Sequence, residues 1–199
     1  MDLELALQAA SNRHSPNWCA MLSAWAEARH GLTIPREAPG FTAELRGHIG
    51  WLEFIAADTI RIHGVGEVAT RILGMDLEGR NLLDLSEPAV RKVRAWRYSQ
   101  VIDRPCGMHF TYYHERSCGT NVGIEWLVLP LAGDPRAAVI GLFPMHDLRT
   151  EPPGAEPGIQ MRLGSRAQEL TFLDLGFGCP DSLTPPDIPI CLEQDSRQA

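Results

Sequence analysis

The residues best suited to chemistry in this 199-residue chain form a glycine-rich turn. Gly64, Gly66 and Ala69 give the pattern G-x-G-x-x-A, and Asp84 lies twenty residues after Gly64. In dinucleotide-binding proteins such a turn joins a strand to a helix and holds a pyrophosphate, and a later acidic residue binds the ribose. This pattern suggests a small dinucleotide-binding oxidoreductase. However, the helix predicted after the turn is short, and no parallel strand follows within the usual ~30 residues. The alternative is that Gly64 only lets a strand turn into a helix.

Cysteine and histidine residues at zinc-like spacing form a second candidate site. They are Cys106, His109, His114 and Cys118. In an extended strand the odd separation of His109 and His114 sends their side chains to opposite faces, so both could bind one metal only across a bulge. The five cysteines include no CxxC pair. We therefore expect reduced thiols and no metal site.

The sequence offers no activated nucleophile for hydrolysis. It has no G-x-S-x-G elbow, and its seven histidines are scattered singly. His63, at the end of a predicted strand and beside two glycines, is the best placed to act as an acid, a base or an axial ligand. A histidine at a strand end can also be an ordinary polar residue at the rim of a sheet. We therefore predict no catalytic residues and no enzymatic activity.

Three helices are predicted from apolar residues at helical spacing. The first runs from Pro16 to about His30, with Ser15 as its N-cap. A brief helix spans about Gly66 to Leu73. The third begins after Ser86, which is the expected cap, with Pro88 in the first turn.

Short alternating runs bounded by turn residues predict five strands. These are Ile49 to Ala56, Thr59 to His63, Met108 to Glu115, Val122 to Leu131 and Ala137 to Met145. The last three are consecutive hairpins, which indicates an antiparallel sheet. The predicted fold is α+β, with helices on one face of this sheet.

The expected domain organisation is a leader, one domain and a tail. Residues 1–15 form the leader, 16–149 form the domain with its N-terminal helix, and 150–199 form a proline-rich tail. Within the tail the apolar segment 170–177, LTFLDLGF, is either a sixth strand or a clip onto the domain.

The charge and hydropathy of the chain limit the possible partners. The formal net charge is -7, from 25 acidic and 18 basic residues, which argues against nucleic acid or an anionic membrane as a partner. The basic run Arg91, Lys92, Arg94 and Arg97 is expected to be a solvated helix face. No signal peptide and no span of roughly 18 apolar residues is present. We expect a cytoplasmic protein.

The first predicted helix carries an apolar stripe. Its members are Trp18, Met21, Leu22 and Trp25. An exposed tryptophan stripe is costly unless it packs on the chain's own sheet or on another subunit. We predict that these four residues contribute to a homodimer interface.

Several sequence landmarks fall together in one order. They are Trp25 with AEARHG and then Ile34, Pro35, Arg36; Ile60, Arg61, Ile62, His63, Gly64; Gly74-x-x-Leu77-x-Gly79-Arg80-x-Leu82-x-x-Leu85; Arg104, Pro105; and Leu129, Pro130, Leu131. Together they resemble the PAS-domain family found in bacteria, commonly in alphaproteobacteria, as small stand-alone proteins. The resemblance covers about residues 16 to 145.

This resemblance implies a five-stranded antiparallel sheet in the order 2-1-5-4-3 with helices over one face. It also implies a sensory or regulatory role in signal transduction, exerted through a small ligand, a protein partner, or both, and it brings no catalytic motif. The flavin-binding motif NCRFLQ is absent, and the helix after Ser86 has no histidine for a haem iron. Flavin and haem are therefore disfavoured as cofactors.

A small ligand is expected between the sheet and the short helices. The large apolar residues that should enclose it are Trp51, Ile62, Ile72, Leu82, Val93, Trp96 and Trp126. His63 and Arg80 are the expected polar anchors. Alternatively, the same side chains simply fill the core, and the protein is an interaction adaptor without a ligand.

Overall fold

A six-stranded antiparallel sheet forms the centre of the computed structural model, which describes residues 14–29, 40–115, 121–133, 136–145 and 169–186. The strand order is β2-β1-β5-β4-β3-β6, and neighbouring strands pair antiparallel. The strands are β1 Ile49–Ala56, β2 Thr59–His63, β3 Gly107–Glu115, β4 Asn121–Leu131, β5 Ala137–Pro144 and β6 Glu169–Leu173. The predicted α+β fold and its strand order are confirmed, with one strand added.

The added strand, β6, comes from the apolar segment of the tail. It pairs with β3 in the register Met108 to Phe172 and His109 to Thr171. Phe172 is buried in the core, and Leu175, just beyond the strand, is 1% exposed. Of the two alternatives for this segment, a sixth strand is the one observed.

Within the described residues, four α-helices and one 3-10 helix flank the sheet. They are α1 Pro16–Ala28, α2 Ala43–Arg46, α3 Glu67–Leu73, a 3-10 helix Leu82–Leu85 and α4 Pro88–Asp103. Ser15 caps α1 as predicted, because its side chain accepts a hydrogen bond from the Trp18 amide. Gly74 ends α3 in the left-handed region at φ +64°, a conformation that glycine adopts without strain. None of the described helices is both long and apolar enough to cross a membrane.

The expected cap of α4 is wrong. Glu87, not Ser86, occupies the N-cap position, and its side chain makes no capping hydrogen bond. The Ser86 hydroxyl instead accepts a hydrogen bond of 2.8 Å from Nη1 of Arg94. Ser86 lies two residues before Pro88, the first helical residue, so its side chain is free to make this tertiary contact.

The two faces of the sheet carry separate apolar cores. Successive side chains of a strand point to opposite faces. One face, the helix face, packs against α3, the 3-10 helix and α4. The opposite face, the α1 face, packs against α1 and α2. The helices over the helix face are those that the resemblance implied, and α1 adds a layer on the other side.

The apolar stripe of α1 is covered by the chain's own sheet. Trp18, Met21, Leu22 and Trp25 are at most 2% exposed, and they share a core with Leu127, Leu129, Val139 and Phe143. Of the two explanations for the stripe, packing on the chain's own sheet is the one observed. These four side chains are therefore not open to a second copy of the chain.

We expect that replacing Trp25 by alanine will destabilise the fold strongly. Trp25 is fully buried, and its indole Nε1 donates a 2.8 Å hydrogen bond to the Pro130 carbonyl. Removing a buried tryptophan side chain costs about 3–5 kcal/mol. Urea unfolding should show this loss, whereas Ile55→Ala, at a 47% exposed position, should change stability by less than about 0.5 kcal/mol. Equal stability of the two variants would contradict the packing described for α1.

Candidate functional site

Four aromatic side chains on the helix face form the first candidate site, called here the aromatic cluster. Its members are Tyr98, Phe110, Tyr112 and Trp126, all at most 6% exposed. Phe110 and Tyr112 are two residues apart on β3, and Trp126 pairs with Phe110 on β4. The Phe110 and Trp126 rings stack with centroids 5.6 Å apart, and Tyr112 meets Trp126 edge-on at 6.1 Å. Tyr98 reaches the cluster from α4.

A half-buried arginine lies at the edge of the aromatic cluster. Arg94 of α4 donates hydrogen bonds to the Ser86 and Tyr112 hydroxyls, and its guanidinium carbon lies 5.6 Å from the centre of the Tyr112 ring. Arg94 thus connects α4 to β3 through one hydrogen bond and a cation–π contact, both to Tyr112. The expectation that Arg94 belongs to a solvated face is wrong. Arg94, Tyr98 and Val101 lie on one stripe of α4, and this spacing could have revealed the contact.

The indole of Trp126 supplies an unused hydrogen-bond donor inside the cluster. Its Nε1 is buried and has no hydrogen-bond partner among the described residues. Buried polar groups normally have a partner, so an orphaned donor needs an explanation. Burial also raises the pKa of Tyr98, which keeps its phenol neutral. A hydrogen-bond acceptor placed against this indole would give the donor a partner.

The structure brings together only part of the predicted ligand-binding set. Ile62, Ile72, Leu82 and Trp126 lie in the core of the helix face, with Trp96 half-buried against it. Val93, also on α4, is 8% exposed. These residues lie between the sheet and the helices, where a ligand was predicted. That a ligand binds there remains a prediction.

Two predicted ligand residues, Trp51 and His63, lie on the opposite face of the sheet, and a third, Arg80, lies at the protein surface. Trp51 packs in the core of the α1 face, because it alternates on β1 with Leu52, which faces the helices. His63 pairs with Trp51 across the two strands, and its Nε2 lies 3.0 Å from Oε2 of Glu53. Arg80 is exposed. Trp51 and His63 therefore cannot line a space on the helix face, and placing them there was wrong.

The glycine-rich turn lacks the framework of a dinucleotide site. The helix after it, α3, has seven residues, and the strand before it pairs only antiparallel within the described sheet. Gly64 has φ +56°, and a Cβ there would lie 2.6 Å from Cδ1 of Trp51. The glycine is thus explained by a tight turn packed on an indole ring.

Two histidines and a glutamate on the α1 face form the second candidate site, called here the histidine–carboxylate cluster. Nδ1 of His14 lies 2.7 Å from Oε1 of Glu125, and the Ser15 amide donates a 2.8 Å hydrogen bond to Oε2. Nε2 of His109 lies 4.0 Å from Oε1, which is too long for a hydrogen bond. His14 stacks on Trp18 at 4.1 Å and meets His109 edge-on at 4.5 Å.

Burial and hydrogen bonding together set the protonation states of His109 and Glu125. Burial lowers the pKa of His109 to about 4, with a smaller contribution from His14, while Glu125 opposes the shift. Burial also disfavours ionisation of Glu125, but hydrogen bonds from His14 and Ser15 outweigh it and lower the pKa of Glu125. At neutral pH the cluster therefore holds a neutral His109 imidazole and a Glu125 carboxylate.

Sequence reasoning missed the histidine–carboxylate cluster. His14 lies in the predicted leader, and the strand pattern predicts no role for Glu125 beyond its place in a strand. Of the zinc-like set, Cys106 packs in the helix-face core while His109 faces α1, and the side chains of His114 and Cys118 lie outside the described residues. The sequence feature that could have revealed this cluster is Glu125, a charged residue within the apolar run of β4.

Comparison with known proteins identifies a family and several similar solved structures. A family model described as a PAS domain matches residues 13–143. The PAS domain of an HTR-like protein from Haloarcula marismortui is 17% identical with a TM-score of 0.36, over 49% of this chain and 80% of that one. An RNA-binding light-oxygen-voltage receptor is 13% identical with a TM-score of 0.38, over 71% of this chain. The match spans 52% of that receptor. No curated protein sequence matches the chain.

We expect acid to destabilise the fold through His109. The ordinary histidine pKa of about 6.5 applies to the unfolded chain, and the folded value is about 4. Between these values the unfolded state binds the extra proton, so stability falls as pH falls, by about 2 kcal/mol from pH 7 to pH 5. The pKa of Glu125 is lowered from 4.5 in the folded protein. Protonation of Glu125 therefore destabilises the fold only in more acidic solution than protonation of His109 does in the unfolded chain.

Urea unfolding at pH 7 and at pH 5 measures this loss of stability. A chelator is added so that no metal ion binds the histidines. His109→Gln should reduce it by most of that amount. His63→Gln is the matched control, because His63 is a 41% exposed histidine beside a carboxylate. The same pH dependence in wild type and His109→Gln would show that His109 is not the responsible group.

Proposed function

The chain belongs to the PAS domain family, and on that premise we propose a bacterial, cytoplasmic signalling module that binds a small ligand at the aromatic cluster. Membership supports a sensory or regulatory role in the general sense, because PAS domains serve in signalling rather than in catalysis. We therefore propose no enzymatic activity. The cytoplasmic location rests on the free thiols of Cys19, Cys106 and Cys179, since reduced cysteines are typical of that compartment.

The buried indole donor of Trp126 carries the ligand proposal. The Trp126 ring stacks on Phe110 and meets Tyr112 edge-on, and these rings supply apolar surfaces on the same face of the sheet. A ligand with a carbonyl or similar acceptor would satisfy this donor and stack on the rings. Arg94 and Tyr112 place a positive charge and a hydroxyl at the edge of the cluster. An acceptor that carries partial or full negative charge is therefore favoured.

The same contacts supply a route for the signal to α4. A ligand that displaced the Tyr112 hydroxyl would release Arg94, which joins α4 to β3 and to Ser86. Further along α4, Nε of Arg97 donates a 2.7 Å hydrogen bond to the Leu183 carbonyl in the C-terminal segment. We propose that α4 and the segment around Leu183 form the surface that a signalling partner reads.

The alternative is a ligand-free adaptor. The rings of the aromatic cluster already contact one another closely, and this close packing favours the adaptor because it leaves little space for a ligand. In that case the surface of α4 would bind a partner without a ligand-dependent change.

Native mass spectrometry of the purified full chain tests for a retained ligand. We expect a non-covalent adduct on wild type that is lost from Trp126→Phe, which removes the indole donor but keeps an aromatic ring. Trp51→Phe is the control, because Trp51 packs on the opposite face. Lack of an adduct on wild type would favour the adaptor. An unchanged adduct on Trp126→Phe would contradict binding at the aromatic cluster.

Self-association is a separate prediction. We expect a homodimer whose interface uses surfaces other than the buried stripe of α1. Sedimentation at tens of micromolar, roughly ten times a micromolar dissociation constant, measures this directly. A monomer at that concentration would contradict the prediction without affecting the ligand proposal.

A further inference from the structure

The histidine–carboxylate cluster combines two imidazoles and one carboxylate, and we propose that it binds a divalent transition-metal ion such as Zn²⁺. The possible ligand atoms of His14, His109 and Glu125 all lie within 4.8 Å of one another. Two histidines and a glutamate are a known ligand set for zinc sites with an open fourth position. The site lies on the α1 face, so it does not depend on the ligand proposed for the helix face.

The distances require only small side-chain movements. Zinc bonds of about 2.0–2.2 Å in tetrahedral geometry place neighbouring ligand atoms roughly 3.4 Å apart. The observed separations from Oε1 of Glu125 are 2.7 Å to His14 and 4.0 Å to His109, on either side of that value. Small rotations of the two imidazoles would bring both ring nitrogens to the bonding distance, without a change in the pairing of β3 and β4.

A buried nitrogen of His109, for which the described residues offer no hydrogen-bond partner, is a second reason to expect a metal ion here. His109 is 3% exposed, and its Nε2 is buried without a hydrogen-bond partner among the described residues. This nitrogen points into the cluster, 4.0 Å from the Glu125 carboxylate. A metal ion between the two would give the orphaned nitrogen a partner and would neutralise the buried carboxylate.

Neighbouring side chains restrain the proposed ligand residues, and the site is accessible to a metal ion from solvent. Trp18 stacks on His14 and meets His109 edge-on at 5.6 Å, so one indole restrains both imidazoles. The His14 side chain is 18% exposed, which gives an ion access from solvent. Two nitrogen ligands favour zinc over Mg²⁺ and Ca²⁺, which prefer oxygen. A bound ion would replace the His14 to Glu125 hydrogen bond and fasten the start of α1 to β3 and β4.

Calorimetric titration of the chelator-stripped full chain with ZnCl₂ tests the proposal. We expect one ion per chain and a rise in the melting temperature with Zn²⁺ but not with Mg²⁺. Co²⁺ gives an independent readout, because its visible absorption reports nitrogen and oxygen coordination directly. His14→Gln, His109→Gln and Glu125→Gln should each weaken Zn²⁺ binding by at least about 100-fold, the upper range for loss of a supporting group.

Two variants make the result decisive. His14→Gln lies at the edge of the core and should keep the native circular dichroism spectrum, so its loss of Zn²⁺ cannot be attributed to unfolding. His63→Gln should bind Zn²⁺ as wild type does, because His63 contacts Glu53 and Glu78 through different ring nitrogens and offers no chelate. Wild type that binds no Zn²⁺, binds Mg²⁺ equally well, or keeps its affinity in His14→Gln would overturn the proposal.

Discussion

Burial of both faces of the sheet is the constraint on which the rest of the structure depends. Every residue of β4 from Gly123 to Leu131 is buried. Alternation sends Trp126 and Val128 to the helix face and Leu127 and Leu129 to the α1 face. A sheet that is apolar on both sides must be covered on both sides. For this reason α1 is part of the core, and its tryptophans serve the chain's own fold.

The same alternation places one candidate site on each face. Glu125 and Trp126 are consecutive on β4, yet the first belongs to the histidine–carboxylate cluster and the second to the aromatic cluster. On β3, His109 and Phe110 divide in the same way. The two sites therefore share the backbone of two paired strands while their side chains stay in separate cores. A ligand in either core would act on the same two strands.

The C-terminal segment joins the two layers at the edge of the sheet. Phe172 of β6 packs into the helix-face core, while Leu175 packs on the α1 face and accepts a 2.6 Å hydrogen bond from Nη1 of Arg29 at its carbonyl. Pairing with β6 also covers β3, which would otherwise be an open edge. This segment thus closes the side of the sheet nearest to both candidate sites.

The sequence by itself determined the strands, their hairpins and the main helices, because period-two and helical patterns and turn residues act over a few neighbouring positions. With the resemblance it also supplied the strand order. Only the tertiary structure decided the sites, since these depend on register and on distant contacts. The register puts Trp51 beside His63, away from the helices. His14 and Glu125 are 111 residues apart in the chain, and their contact exists only because α1 is folded onto β4.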